Sequence, residues 1–233
     1  MKTLKIAFLL LFAVAGISAR VFAQSEETRS VSGFNGIASS GSFTIHVKID
    51  GTESLKMRGN AEDLRDIETV VENGVLQVRF PKHYDWGKHH VGHIDVLITA
   101  KALSSVSLGG SGSIDVEGVV KGNKVAVSVG GSGDITTAVE SDRLDISIAG
   151  SGNIRLTGKA NASKISIAGS GNLKAPDIRV NDADIEIAGS GDVQMGIEKT
   201  ISAHIAGSGS VRFSGNASVT NVSSAGSGRV TRI

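Results

Sequence analysis

Asp145-Ile146-Ser147-Ile148-Ala149-Gly150-Ser151-Gly152-Asn153-Ile154 returns nineteen residues later as Lys164-Ile165-Ser166-Ile167-Ala168-Gly169-Ser170-Gly171-Asn172-Leu173. The tripeptide at its heart, Gly-Ser-Gly, recurs centred on Ser111, Ser132, Ser151, Ser170, Ser190, Ser208 and Ser227, at spacings of 21, 19, 19, 20, 18 and 19 residues. Around each copy apolar and polar residues alternate, the period-two pattern that sends successive side chains to opposite faces of a strand. Ahead of the motif stand Val106, Val127, Ile146, Ile165, Ile185, Ala203 and Val222, and two residues later Leu108, Val129, Ile148, Ile167, Ile187, Ile205 and Ser224. Behind it come Ile114, Ile135, Ile154, Leu173, Val193, Val211 and Val230.

A unit this thin cannot bury its apolar face alone, so like residues of successive repeats must stack into one aliphatic column. The pattern predicts an all-β fold: a parallel β-helix-like solenoid with rungs of about 19 residues and strands about 4.8 Å apart. Each rung reads as strand, Gly-Ser-Gly corner, strand and variable turn. Glycine at the corner permits positive φ and close approach of neighbouring rungs, and the serine hydroxyl is expected to satisfy backbone groups at the bend. Ser39-Ser40-Gly41-Ser42-Phe43 is a degenerate earlier copy. Ser223, Ser224, Arg229 and Arg232 make the last rung polar, which is expected to protect the final sheet edge.

Residues 31–100 differ from the 101–233 repeats. Phe43 to Asp50, Ser54 to Arg58, Ile67 to Glu72, Val75 to Phe80 and His93 to Thr99 read as strands, with Asn73-Gly74 a strong hairpin signal and a short helical turn over Ala61 to Asp66. This irregular β portion is expected to cap the N-terminal end of one domain spanning 31–233. Before it, residues 24–30 read as a short linker and 1–23 as a secretory leader: basic Lys2 and Lys5, the apolar run Ile6 to Ile17, and small residues around Val21-Phe22-Ala23. The chain is therefore expected to be exported to the periplasm, the cell surface or the medium, with no membrane span after the leader.

Of the 24 basic side chains the leader takes Lys2, Lys5 and Arg20, leaving 21 against 23 acidic ones. A near-neutral chain lacks the basic footprint that nucleic acid requires. There is no cysteine, so the fold stands without disulfides. Beyond the leader the aromatics are Phe34, Phe43, Phe80, Tyr84, Trp86 and Phe213, and five of these precede residue 90.

The segments Phe34-Asn35-Gly36-Ile37 and Ser40-Gly41-Ser42-Phe43, the Asn73-Gly74-Val75-Leu76 hairpin and repeats such as Gly131 to Ile135 resemble the head GIN domain family of putative autotransporter adhesins, over roughly residues 30–231. The resemblance implies a right-handed β-helix-like fold and an extracytoplasmic location, and it brings no catalytic residues.

Loop residues 82–93 concentrate four of the six histidines and the one Tyr and one Trp of the chain. Tyr84, Trp86, His89, His90 and His93 are the candidate binding residues, because loops on rigid scaffolds carry variable function. His89, His90 and His93 lack a metal-motif spacing, so no metal and no cofactor is assigned. Gly130-Gly131-Ser132-Gly133-Asp134 falls one residue short of the calcium-roll repeat, whose period is also shorter. The series Ser113, Asp134, Asn153, Asn172, Asp192, Ser210 and Arg229 is explained by Asx turns or a side-chain ladder. Asp145, Asp184 and Glu186 are the carboxylates a carbohydrate-active enzyme would need, but they are scattered along a surface strand face, and a solvated charged face explains them better. No nucleophile-elbow, dinucleotide or P-loop motif occurs. The sequence therefore predicts a binding or structural module and not an enzyme, recognising a protein or glycan and open to homo-oligomerisation. The alternatives are a carbohydrate-active β-helix enzyme and an envelope protein without a ligand.

Overall fold

A computed structural model describes residues 25–85 and 91–233. The expected leader, and Trp86, His89 and His90, lie outside these residues. Among the described residues sixteen strands and one short helix follow in order: β1 (Ser25–Arg29), β2 (Gly36–Gly41), β3 (Thr44–Ile49), β4 (Ser54–Gly59), α1 (Ala61–Arg65), β5 (Glu68–Glu72), β6 (Val75–Arg79), β7 (Asp95–Ala100) and β8 (Ser105–Gly110). Then come β9 (Ser113–Gly131), β10 (Asp134–Gly150), β11 (Asn153–Gly169), β12 (Asn172–Gly189), β13 (Val193–Gly207), β14 (Ser210–Ser214), β15 (Ser218–Gly226) and β16 (Arg229–Arg232). From β8 onward the pairing between rungs is parallel, as the repeat predicts, with equivalent residues in register around the Gly-Ser-Gly corner and register shifts between the two corners in every long pair except β10–β11.

The register stacks like on like. Ile148 pairs with Ile167, Ile167 with Ile187 and Ile187 with Ile205, all buried, and Ile135, Ile154 and Leu173 form the column beyond the corner. Fully burying one such side chain contributes about 1.5–3 kcal/mol. Corner geometry makes the register possible. Gly131 carbonyl oxygen accepts from both Ser151 N–H (2.8 Å) and Gly152 N–H (2.9 Å), a pattern repeated from rung to rung. Gly150 sits at φ 116, and a Cβ on Gly152 would collide with the Gly133 carbonyl and the Val129 side chain. The serine between them is exposed and joins the ladder through its backbone N–H, not through the hydroxyl the sequence suggested.

The variable turn is also different from expectation. Instead of leaving the sheet, the chain stays paired through this second corner, with Glu140 beside Lys159 and Ser141 beside Ala160. β10 and β11 match in length there, and in the other rung pairs a register shift just before the corner takes up the difference, so backbone groups keep partners.

Two sheet faces result. One runs β1, β4, β7, β3 and then the first halves of β9 to β13, ending in β14 and β16; the other runs β5, β6, β2, β8 and the second halves, ending in β15. At the N-terminal end β1 with β4, β4 with β7 and β5 with β6 are antiparallel, an irregular β portion that begins at Ser25: residues 25–29, expected to lie in a short linker, are instead an edge strand paired with β4. Asn73 (φ 52) and Gly74 (φ 76) turn the β5–β6 hairpin. Asn60 caps α1 by accepting from Glu62 N–H at 2.9 Å, and Leu64 and Ile67 are buried beneath it.

Replacing Ile167 with Asp buries an unpartnered charge in the column, and the Tm is expected to fall by more than about 10 °C. Gly152→Ala should cost about 1–3 kcal/mol through the collision at the corner. Circular-dichroism melts of both variants check the register; unchanged curves would contradict it.

Candidate functional site

The loop after β6 starts from a stack of aromatic rings. Phe80 lies on Phe43 with centroids 5.2 Å apart, and Tyr84 lies on Phe80 at 4.6 Å. Tyr84 is half-buried against the core. Burial, then the negative charges of Asp66 and Asp63, and a hydrogen bond to Asp66 raise its phenol above the usual 10.0. The far side of the loop is tied down where Gly92 N–H donates to Asp63 Oδ2 at 2.9 Å. His93 is exposed, with Nε2 2.9 Å from Asp95 Oδ1. Of the five candidate binding residues the structure thus describes two, and it places one inward and one outward. Among the described residues no three His, Asp or Glu side chains converge as metal ligands would.

The rest of the surface is made of ladders. Asn153 Nδ2 donates to Asp134 Oδ1 (2.8 Å) and Asn172 Nδ2 to Asn153 Oδ1 (3.0 Å), while Asp192 and Ser210 N–H groups continue the chain onto Asn172 Oδ1 and Asp192 Oδ1. This is the side-chain ladder anticipated for the post-motif series. At the second corner Asn161 Nδ2 donates to Asp142 Oδ1 at 2.8 Å. Beside it Lys121, Glu140, Lys159 and Arg179 stand in register, with both lysine Nζ atoms 3.1 Å from the Glu140 carboxylate. Those lysines, Lys121 before Lys159, hold the Glu140 carboxyl below its usual range. Together these side chains line an open groove of about 740 Å³.

Sequence reasoning missed this groove. Its signal was available in charged residues that recur at the repeat length, from Lys121 to Arg179. On the neighbouring column Lys164 stands in register between Asp145 and Asp184, Lys124 Nζ is 2.8 Å from Asp145, and Lys164 Nζ is 3.8 Å from Glu186. Lys164 therefore stands between Asp145 and Asp184, while Asp184 and Glu186 share one strand face with Lys164 beside them. A further open groove, of about 550 Å³, follows the stacked alanines from Ala149 to Ala225 beside Glu186 and His204. Among the described residues no helix is long and apolar enough to cross a membrane.

A family model described as "Putative auto-transporter adhesin, head GIN domain" matches residues 33–217. Among solved structures the chain is similar to a putative adhesin from Bacteroides fragilis, at 22% identity and a TM-score of 0.81, covering 90% of this chain and 97% of that one. It is also similar to a putative lipid binding protein from Parabacteroides distasonis (21% identity, TM-score 0.70, 90% and 96% covered). A putative adhesin from Parabacteroides merdae aligns at 22% identity and TM-score 0.68, with 90% and 96% covered. At these identities the likeness concerns the fold. No curated protein matches the chain.

Tyr84 is the one tyrosine of the chain, so its titration can be followed directly by near-ultraviolet absorbance. Folding favours the neutral phenol; that contribution is complete below pH 10.0 and is lost as pH rises through the higher folded-state value. Tyr84→Phe should remove this part of the alkaline loss of Tm; titration at or below the usual pH would contradict the burial. Calorimetry is expected to find no stoichiometric Ca²⁺ and at most weak Zn²⁺ binding. Tight one-to-one zinc binding abolished by His89→Ala with His90→Ala would overturn the absence of a metal role for the loop.

Proposed function

This chain belongs to the head GIN domain family, and from that premise we propose that it is an adhesin-like binding and structural module exported to the cell envelope, without catalysis. The observation that carries this reading is the alternation of charge along the outer columns. General acid–base hydrolysis of a glycoside needs two carboxylates flanking one bond. Here Lys164 separates Asp145 from Asp184, and Glu140 is shared by two lysines. A surface that repeats donors and acceptors at the rung spacing suits a ligand that is itself extended and polar, a glycan chain or an extended protein segment. The groove from Lys121 to Arg179 offers cations, amides and carboxylates together, and it is the contact surface of this reading. The 82–92 loop is a second contact, because Trp and Tyr are favoured anchors at interfaces.

Binding of the purified protein to an array of glycans and extracellular-matrix proteins tests the proposal. Lys159→Gln combined with Arg179→Gln is expected to reduce retention severalfold with Tm nearly unchanged, since exposed ion pairs contribute little to stability. For the loop, Trp86→Ala should lower retention without lowering the Tm; a lower Tm would make Trp86 a cap residue. Turnover of any polysaccharide on the same array would overturn the non-catalytic reading.

A further inference from the structure

The two ends of the solenoid are built differently. At the N-terminal end α1 lies over the core, and Arg29 donates to the carbonyls of Leu64 and Ile67 and to Thr69 Oγ1. The edge strands there, β1 and β5, are five residues each and carry Glu26, Glu27, Glu68 and Glu72. Short charged edges discourage a further strand from pairing. At the C-terminal end β15 pairs with β13 on one side, and no described element pairs with its other side. Its nine residues, Ser218-Val219-Thr220-Asn221-Val222-Ser223-Ser224-Ala225-Gly226, carry no charge.

The register shows what this edge leaves bare. Val219 aligns with Ile201 and Val222 with Ala203, both of which are buried, so these valines are core-facing. They are nevertheless 53% and 43% exposed, and Ile233 is 62% exposed. Three of the four exposed large hydrophobic residues described thus gather at this end. The polar last rung protects only part of it: Arg232 lies 5.3 Å over the Phe213 ring and donates to the Ala217 carbonyl, which covers the β14–β16 side.

We infer that the C-terminal end is an interface for a second copy of this chain, joined end to end about a two-fold axis with the two β15 strands antiparallel. The partner must supply a long uncharged edge and an open column of apolar side chains. Among the described elements of this chain β15 alone does both, since the N-terminal core is closed by α1 and its edges are short and acidic. Pairing centred on Val222 sets Val222 opposite its own copy and Asn221 opposite Ser223, so no charge meets a charge within this strand pair; Arg229 and Arg232 of this end lie on β16. An N-terminal edge would instead bring glutamates against Val219 and Val222, where desolvation opposes contact. Self-complementary pairing of one surface patch is the defining feature of a two-fold dimer. The paired edges also satisfy backbone N–H and C=O groups and make the two aliphatic columns continuous.

Light scattering on the full chain, exported from a bacterial host and held at micromolar concentration, is expected to give a dimer mass. Val222→Lys should weaken the dimer at least tenfold, whereas Val70→Lys on β5 should leave it intact. Because the chain has no cysteine, Asn221→Cys can be joined by a short bis-maleimide, giving a covalent dimer that Thr69→Cys on β5 does not give. A monomeric wild type, open-ended assemblies blocked by Val70→Lys, or cross-linking through Thr69→Cys in place of Asn221→Cys would each overturn the inference. The wild-type mass and the cross-link decide the matter even if Val222→Lys fails to fold.

Discussion

Close approach of one rung to the next at the Gly-Ser-Gly corner is the constraint on which the rest of the molecule depends. Gly131 can receive two N–H groups from the following corner because neither flanking glycine has a Cβ to hold the rungs apart. With that contact made at every level, backbones stay in register on both sides of it. Each inward position then meets its own kind above and below. Ile, Val, Leu and Ala fill most of the core through the repeats, with Met195 and Phe213 as the larger side chains near its C-terminal end.

The same register organises the exterior. An asparagine placed once makes a turn; placed at each rung it makes a ladder, as Asp134, Asn153 and Asn172 do. Charges placed at rung spacing neutralise one another, as Lys121, Glu140 and Lys159 do. Such a surface is regular and rigid, qualities that suit display and contact better than the asymmetric placement of an acid and a base. Departures from regularity collect at the ends, where a stacked fold must stop. At one end aromatic rings, a helix and charged edge strands close the column; at the other β15 leaves core-facing valines exposed.

Much of this was legible in the chain itself. Periodic Gly-Ser-Gly and alternating aliphatics specified a solenoid and its register, because each repeat makes the same local demand and stacking is the one way to meet it. Asn73-Gly74 specified its hairpin for a similarly local reason, since both residues tolerate positive φ. Only the tertiary structure decided which surfaces those repeats assemble. The second corner stays in the sheet because register shifts between the two corners absorb the differences in rung length, a relation between rungs that no single repeat displays. Tyr84 lies half-buried on Phe80, although its loop reads as a binding segment, because Phe43, just before β3, and Phe80, just after β6, meet beneath it. Val222 has the pattern of a core residue and lies bare, because burial depends on a neighbour that the last rung does not have.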